Sequence, residues 1–434
     1  MNVDAAAPAE RDLKGEERGP YVRHCARLSS QSRHRGSHKN EGNRMTGRCI
    51  VDFDHHSAEF AANRETILEE FRTESPIAWT EAHGGYWFVT SYPLICEILR
   101  NDEGFIVERL ADGSGGITIP DNKEKAPLLP GELDGDLHDT YRHALNPFFS
   151  KKQVETLRPF IEGVVEELTD HLLELGTFDG VTDFAQQVPA RAVLTYAGIH
   201  VDDTWDLYEA VALSREQPTA DQVQAVIGRL KAIIADKRRS ETDDLLGHLV
   251  RFSEPTFSDD DLVGLMVGLI LGGVRSTADT LGHILYHLDL DRELRSHLMT
   301  HTEAIPAAVE ELLRVYTPIL GLARTAVQDA EVGRQQIHAG DRILLAYHAA
   351  NRDEVKFKNA QEFDPDRPSV PHMTFGRGVH FCLGSWLARL ELRVAVEVLL
   401  RKIPNYTVDR KNCTFIERVG LRNAWLSLPA STNA

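Results

Sequence analysis

A glycine-rich loop containing one cysteine most strongly limits how this chain can fold. The loop, residues 375–384, reads FGRGVHFCLG, and a helix-forming run from Ser385 to Lys402 follows it directly. A thiolate binds metals, and the positive end of a helix dipole lowers the pKa of a thiol placed there. Glycines let the backbone approach a flat, bulky group, and nearby backbone N–H groups can tune a metal held by sulfur. The loop therefore predicts a metal–thiolate centre at Cys382, the alternative being an inert, buried cysteine.

The pattern Phe-Gly-x-Gly-x-His-x-Cys-x-Gly resembles the cysteine-ligand loop of the cytochrome P450 family. In that family the thiolate is the proximal ligand of haem iron. The resemblance implies that Cys382 holds the iron of haem b. It also implies that Phe375, Gly376, Gly384 and His380 lie around the cofactor.

The composition excludes several classes of protein. The chain has 434 residues, 42% of them hydrophobic, and a formal net charge of −18. A duplex-binding face needs an excess of Lys and Arg, so nucleic acid is not expected as the main partner. Five widely spaced cysteines without a Cys-x-x-Cys motif favour a reducing compartment. The longest apolar run, Leu262–Val274, is shorter than the ~18 residues of a spanning helix. We therefore expect a cytoplasmic protein without a membrane partner.

The chain divides into two parts by composition. Residues 1–48 are net basic, rich in Arg, Ser, Gly and His, and poor in large apolar side chains, which predicts a disordered N-terminal extension. Met45 is a candidate start of the structured protein. The resemblance covers Ala58 to Pro429 in family order. It implies that residues 49–434 form a single haem domain, mainly α-helical with small β-sheets.

The first structured segments carry clear local signals. An amphipathic helix is predicted over Ala58–Arg72, before Pro76. Alternating residues over 77–92 predict a hairpin around the turn at 83–85. The stretch 102–135 is rich in Gly, Pro and Asp, and a loop of this length is usually functional or disordered. By resemblance it lies over the haem and helps to select the substrate.

Several basic side chains are candidates for binding the haem propionates. His138 and Arg142 are four residues apart in a predicted helix and share one face. The pair resembles the His-x-x-x-Arg motif whose side chains contact the propionates, and a carboxylate favours charge-assisted donors of this kind. By the same resemblance Arg324 and His380 are further propionate ligands. The alternative for the first pair is a solvated helix face.

A long helix is predicted from the capping residue Ser258 to about Leu288. At 1.5 Å per residue it is roughly 45 Å long, enough to cross a domain. Gly272 and Gly273 inside it cost about 1 kcal/mol each relative to alanine. Close approach of the helix to a ligand and tight helix–helix packing explain these two glycines equally well.

The centre of this helix resembles the oxygen-binding helix of the family but departs from it. The family pattern is Ala/Gly-Gly-x-Asp/Glu-Thr, and here Arg275 stands at the acid position and Ser276 at the alcohol position. A guanidinium cannot exchange protons near neutral pH. In one reading, Ser276 or Thr277 relays protons through water, with help from Asp279. In another, Arg275 binds a substrate carboxylate, as in peroxide-using members, although those carry Pro after the Arg. In the third, Arg275 pairs with Asp279 in a contact of ~0.3–0.5 kcal/mol.

A charge cluster is predicted behind the thiolate. Glu311 and Arg314 are three residues apart in a predicted helix, a spacing that alone is very common. The order of the segments that follow resembles that of the family's buried Glu-Arg-Arg cluster, with Arg367 as the third member. Buried charges are tolerated only when paired, so the cluster is expected to be structural.

The remaining predictions concern the substrate and the partners. Candidate walls of the substrate pocket are Val267, Leu271, Leu320 and Leu322. Basic residues near the cysteine loop, among them Arg389, form either a docking patch for an acidic electron carrier or a solvated face.

The expected activity is oxygen activation at haem iron and oxidation of a small organic substrate of unknown identity. The sequence contains no Gly-x-Gly-x-x-Gly motif or flavin segment, so a separate ferredoxin and ferredoxin reductase should supply the electrons. Two alternatives are a peroxygenase that uses hydrogen peroxide on a carboxylate substrate and a non-catalytic haem-binding sensor.

Overall fold

The computed structural model describes residues 48–123, 126–200, 207–209, 220–253, 256–368, 371–416 and 420–432. The predicted N-terminal extension, apart from Arg48, lies outside these ranges. The described residues form the mainly helical fold that the sequence predicts. The helices, in chain order, are α1 (Ala58–Glu74), α2 (Tyr92–Arg100), α3 (Gly135–Leu145), α4 (Lys151–Glu155), α5 (Arg158–Leu175), α6 (Gln187–Ala197), α7 (Ala220–Arg239), α8 (Leu245–Arg251), α9 (Asp259–Leu269), α10 (Arg275–Leu290), α11 (Arg292–Thr300), α12 (Ile305–Tyr316), α13 (Tyr347–Ala350) and α14 (Ser385–Lys402).

The strands are short and form small sheets. They are β1 (Ile50–Val51), β2 (Ile77–Thr80), β3 (Tyr86–Val89), β4 (Phe105–Ile106), β5 (Thr177–Asp179), β6 (Leu322–Ala326), β7 (Ala330–Val332), β8 (Gln335–Ile337), β9 (Arg342–Leu345), β10 (Thr407–Val408), β11 (Thr414–Phe415), β12 (Trp425–Ser427) and β13 (Pro429–Ser431). The largest sheet has the order β1-β2-β3-β9-β6-β4, and a second has the order β10-β13-β5. Two pairs, β11-β12 and β7-β8, stand alone among the described residues.

The N-terminal elements form where the local signals place them. Ser57 caps α1 by accepting a hydrogen bond from the N–H of Phe60, and the helix ends just before Pro76. The predicted hairpin is β2-β3, with Trp79 opposite Trp87. A Cβ atom at Gly85 would lie 2.4 Å from the Trp79 ring, so the turn needs glycine there. Both predictions are confirmed.

The long helix (Asp259–Leu290) comprises α9, a π-helical turn at Ile270–Val274 and α10. Ser258 and Asp261 form a capping box at its start, as the predicted helix start requires. Within the described residues, it is the one helix long and apolar enough to cross a membrane. Its most apolar stretch is half buried, and α10 packs against α12 and α14. These contacts are typical of the central helix of a protein core.

The glycines of the long helix differ in what a side chain at each position would contact. A Cβ at Gly268 would lie 2.0 Å from the carbonyl oxygen of Leu129, so this glycine admits the preceding loop. A Cβ at Gly273 would contact Val193 of α6, whereas one at Gly272 would meet only open space. Of the two explanations, helix packing therefore applies to Gly273, and Gly272 leaves a free surface at the π turn. Such turns are frequent at functional sites.

The cysteines are not all free thiols. Cys96, Cys382 and Cys413 are free, whereas Cys49 takes part in a disulfide. The reducing compartment inferred from cysteine spacing does not predict that disulfide, because spacing along the chain does not show which sulfur atoms meet in the fold.

Helix α14 spans the predicted residues and buries its apolar stripe in the main helical core. Glu391 of this helix is 1% exposed, and neither carboxyl oxygen has a hydrogen-bond partner among the described residues. Burial raises the pKa of Glu391 well above its usual value of 4.5. Burial therefore favours the neutral form of this carboxyl group in the folded protein.

The Glu391 proton should make stability depend on pH. Because the folded state binds this proton more tightly than the unfolded chain, the free energy of unfolding should fall as pH rises above 4.5. One proton contributes a slope of about 1.4 kcal/mol per pH unit until the folded-state pKa is reached. We expect Glu391→Gln to remove this contribution, as measured by urea unfolding between pH 5 and 8. Glu174→Gln, at an exposed site, is the control. Parallel stability curves for wild type and Glu391→Gln would contradict the expectation.

Candidate active site

The cysteine loop is held by its own backbone and by α2. The N–H of Cys382 donates to the carbonyl oxygen of Phe375 at 2.9 Å. Gly378 has φ +73°, and a Cβ there would lie 2.6 Å from the carbonyl oxygen of Leu99. A side chain at Gly378 would therefore be strained and would clash with backbone, so the loop depends on glycine at this position.

The surroundings of the Cys382 thiol act on its ionisation in opposite directions. Cys382 is an exposed residue, yet burial raises the pKa of its thiol. A hydrogen bond from the N–H of Gly384 and the charges of Arg142 and Arg389 oppose that rise and favour the thiolate. A Cβ at Gly384 would meet no atom within 4 Å, so there is open space at the residue that donates to the sulfur. This donor set and this space suit a flat group with a metal at its centre.

Two guanidinium groups of the predicted site have no carboxylate partner among the described residues. Arg142 donates to the carbonyl oxygen of Phe381 at 3.0 Å. Arg324 is 4% exposed and donates to the carbonyl oxygen of Ala323 at 2.8 Å. Arg142 is half-buried and Arg324 is buried, and a buried charge is costly unless it is paired. The two arginines therefore fit a cofactor that brings its own carboxylates, as haem does with its propionates.

The two histidines of the predicted site lie together but have a protein partner. Their rings, His138 and His380, are 4.4 Å apart between centroids. The Nε2 atom of His380 is 2.9 Å from the Oδ1 atom of Asp134. Although burial opposes ionisation, hydrogen bonds from His380 and from two backbone N–H groups lower the pKa of Asp134. One nitrogen of His380 is therefore engaged by Asp134, a residue that the sequence did not indicate.

The structure brings the three predicted members of the charge cluster together. Arg314 contacts both carboxylate oxygens of Glu311, at 2.7 and 2.8 Å, and Arg367 donates to Glu311 at 3.0 Å. Arg314 also donates to the carbonyl oxygens of Asn351 and Ala360, both at 2.7 Å. Glu311 and Arg314 are 5% and 2% exposed. The cluster joins α12 to the segment that leads into the cysteine loop.

A second charge cluster lies next to the first and was missed by the sequence reasoning. Arg389 binds both carboxylate oxygens of Glu310, at 2.5 and 2.9 Å, and His372 lies 3.2 Å from Glu310. Although burial opposes ionisation, hydrogen bonds from His372 and Arg389 lower the pKa of Glu310 to about 2. The Arg389 guanidinium also lies 4.3 Å from the centre of the Phe375 ring. Arg389 is thus committed to internal contacts, which is evidence against its predicted part in a docking patch.

The two hydroxyl residues of the long helix bond back across the π turn. Ser276 donates to the carbonyl oxygen of Gly272 at 2.9 Å, and Thr277 donates to that of Gly273 at 3.1 Å. Thr277 is 3% exposed, whereas Ser276 is half-buried. Each hydroxyl oxygen keeps lone pairs that can accept a hydrogen bond from water.

Asp279 binds a residue far away in the chain. Arg422 donates to both of its carboxylate oxygens, at 2.6 and 2.7 Å, and Asp279 is 4% exposed. Burial and the nearby charge of Arg422 lower the pKa of Arg275, while Tyr208 and Asp279 act in the opposite direction. Bidentate binding by Arg422 is evidence against both earlier roles for Asp279, as proton relay and as the main partner of Arg275. The sequence carries no local signal for this pair.

The predicted pocket walls have different environments. Val267 and Leu271 are half-buried on either side of the start of the π turn, and Leu322 is half-buried at the start of β6. Leu320 is 6% exposed and belongs to the core cluster that packs on α1. Leu320 therefore has a packing role, whatever its relation to the substrate.

Comparison with known proteins agrees with this geometry. A family model described as cytochrome P450 matches residues 201–405. The mycinamicin IV hydroxylase/epoxidase of Micromonospora griseorubida is 33% identical over 332 residues, which cover 73% of this chain and 82% of that protein. The steroid C26-monooxygenase of Mycobacterium tuberculosis is 30% identical over 371 residues, with coverage of 82% and 90%. The solved structure of the mixed-function P450 MycG has a TM-score of 0.77 at 30% identity, covering 88% of this chain and 99% of that one.

These similarities extend over most of each chain, and the expected fold is confirmed along with the resemblance seen in the cysteine loop. Relatives at this identity and coverage share a family and the class of chemistry that its haem iron supports. The chain belongs to the cytochrome P450 family of haem-dependent monooxygenases.

Proposed function

We propose that this protein binds haem b through Cys382 and uses it to oxidise a small organic molecule with dioxygen. The observation that carries the proposal is a free, exposed cysteine, Cys382, whose sulfur accepts a hydrogen bond from the N–H of Gly384, with open space at that glycine. Arg142 and Arg324 support the proposal because they lack carboxylate partners among the described residues. When bound, the haem supplies oxygen activation, which a thiolate ligand favours by donating electron density.

The residues around the site have distinct proposed roles. The N–H of Gly384 stabilises the thiolate and tunes its donation to the metal. Arg142 and Arg324 bind the propionates, with His138 and the remaining nitrogen of His380 beside them. Ser276 and Thr277 accept hydrogen bonds from water and guide protons along the long helix at the π turn.

The proposal extends to the class of substrate, the source of the electrons and the location of the protein in the cell. Relatives include a mycinamicin hydroxylase/epoxidase and a structure of a P450 mutant with erythromycin B, which supports a natural product as substrate. A separate ferredoxin and its reductase are the proposed electron donors. The proposed location is the cytoplasm, and the disulfide at Cys49 is the observation that opposes it.

The test of this function is reconstitution of the purified holoprotein. Ligands that shift the spin state of the ferric iron are chosen first. Each is then incubated with NADPH, a surrogate ferredoxin and its reductase, or with hydrogen peroxide alone. We expect oxidised product with the electron-transfer proteins and little with peroxide. Tight ligands that give neither NADPH oxidation with the electron-transfer proteins nor product with peroxide would instead favour the sensor.

A peroxygenase acting on a carboxylate substrate is the second candidate. The observation that favours it is a basic side chain, in place of an acid, at position 275 of the long helix. Arg275 follows directly on the π turn, next to the open space at Gly272. A guanidinium at this position suits a carboxylate ligand.

Arg275→Leu separates the two candidates. If Arg275 holds a carboxylate, carboxylic acids should shift the spin state of wild type more strongly than their neutral amides do. The variant should then bind those acids about 10- to 100-fold more weakly, because it loses one charged hydrogen bond. Arg401→Leu, at an exposed site on α14, is the control. Equal binding of acids and amides, unchanged in Arg275→Leu, would exclude this role.

A further inference from the structure

Three histidines meet beside the β2-β3 hairpin. His55 and His56 precede α1, and His83 lies in the turn of the hairpin. The distances between ring centroids are 4.2 Å for His55 and His56, 5.6 Å for His55 and His83, and 5.1 Å for His56 and His83. One ring nitrogen from each residue lies within 4.8 Å of those of the other two. No role in the proposed oxidation involves this cluster.

A carboxylate completes the cluster. The Oδ1 atom of Asp54 is 2.8 Å from the Nε2 atom of His83 and accepts the backbone N–H of His56 at 2.8 Å. Three imidazoles and one carboxylate are a typical ligand set for Zn²⁺, which favours four nitrogen, sulfur or oxygen donors. Asp54 would also supply negative charge to balance a cation.

The buried member of the cluster is already oriented. His55 is 1% exposed, its Nδ1 atom is 2.7 Å from the hydroxyl of Tyr86, and its Nε2 atom is 3.0 Å from the carbonyl oxygen of Ile119. Histidines that bind metals commonly have their other ring nitrogen held by such a partner. Tyr86 can play that part and leave Nε2 for a metal.

Two imidazoles converge on one oxygen. The Nε2 atom of His56 lies 2.9 Å from the same Ile119 carbonyl oxygen that His55 contacts. In the absence of metal, both nitrogens must carry protons to donate to it. A divalent cation could replace these two protons and be bound by the same nitrogens, with the carbonyl oxygen close by.

We propose that His55, His56 and His83, together with Asp54, bind a divalent transition-metal ion of the zinc type. Nitrogen ligands of tetrahedral Zn²⁺ are about 3.4 Å apart, so the ring nitrogens must approach one another by up to about 1.4 Å. His56 is half-buried and His83 is exposed, which leaves both rings room to rotate. The bound ion would fasten the hairpin and the segment before α1 to the loop at Ile119.

The test is zinc binding by the full-length holoprotein. Calorimetric titration with Zn²⁺ and metal analysis after dialysis are compared for wild type, His56→Gln and His83→Gln. The N-terminal histidines are present in every protein, so their contribution cancels in the comparison. The control is His297→Gln, because His297 and His301 stack at 4.5 Å on another surface and form a possible two-histidine site.

We expect wild type and His297→Gln to bind one zinc ion that His56→Gln and His83→Gln bind at least tenfold more weakly. Zinc should raise the melting temperature of the first two proteins and not of the other two. The haem spectrum and circular dichroism before metal addition check that each variant is folded. Equal zinc binding by wild type and both cluster variants would overturn the proposal, as would loss of the site in His297→Gln alone.

Discussion

Replacing Glu311 by alanine should lower the free energy of unfolding by about 3–5 kcal/mol. The carboxylate of Glu311 receives Arg314 through two hydrogen bonds and Arg367 through one. Its removal leaves two guanidinium groups, one of them 2% exposed, without that carboxylate. The cost comes mainly from an uncompensated buried charge, so it should greatly exceed the cost of losing a surface ion pair.

The free energy of unfolding of Glu311→Ala is measured by urea unfolding, followed through circular dichroism and through haem absorbance. The matched control is Glu167→Ala, which removes an exposed carboxylate from Arg191 and should cost less than about 1 kcal/mol. Glu311→Gln should lie between the two, because the amide oxygen still accepts one hydrogen bond. Similar losses in Glu311→Ala and Glu167→Ala would show that the cluster is not a structural support.

Replacing Cys382 by serine should abolish thiolate ligation of the haem and reduce substrate oxidation to background. A serine hydroxyl is not ionised near neutral pH and is a poor ligand for iron, whereas the thiolate both binds the metal and favours oxygen activation. The backbone hydrogen bond from residue 382 to Phe375 does not involve the side chain, so the loop should keep its shape.

Two measurements check the Cys382 prediction. The absorbance of the reduced protein with carbon monoxide reports whether a thiolate binds the iron, and product formation reports turnover. Cys413→Ser is the control, because Cys413 is a partly exposed free thiol outside the cysteine loop. A thiolate-type spectrum that persists in Cys382→Ser, or disappears in Cys413→Ser, would show that the ligand has been wrongly assigned.

The amino-acid sequence by itself determined the elements whose signals are local. Helix α14 begins and ends at the predicted residues, the long helix begins after its capping serine, and the hairpin turns at its glycines. The cysteine loop is also a local feature. Its ten residues contain both the glycines and the cysteine, and the helix follows them directly. Caps, turns and periodicity act over one or two turns of backbone, so a single sequence is enough to find them.

Only the tertiary structure decided which side chains pair across the site. Asp134 binds His380 across 246 positions of chain, Asp279 binds Arg422 across 143, and Glu310 binds Arg389 across 79. The histidine cluster likewise forms only because the segment before α1 and the turn of the β2-β3 hairpin lie next to each other in the fold. The chain contains 66 acidic and 48 basic residues, so charge alone leaves many possible partners for each group. Which of them meet depends on how the helices and sheets pack, because an ion pair requires contact within a few ångströms, whatever the separation along the chain.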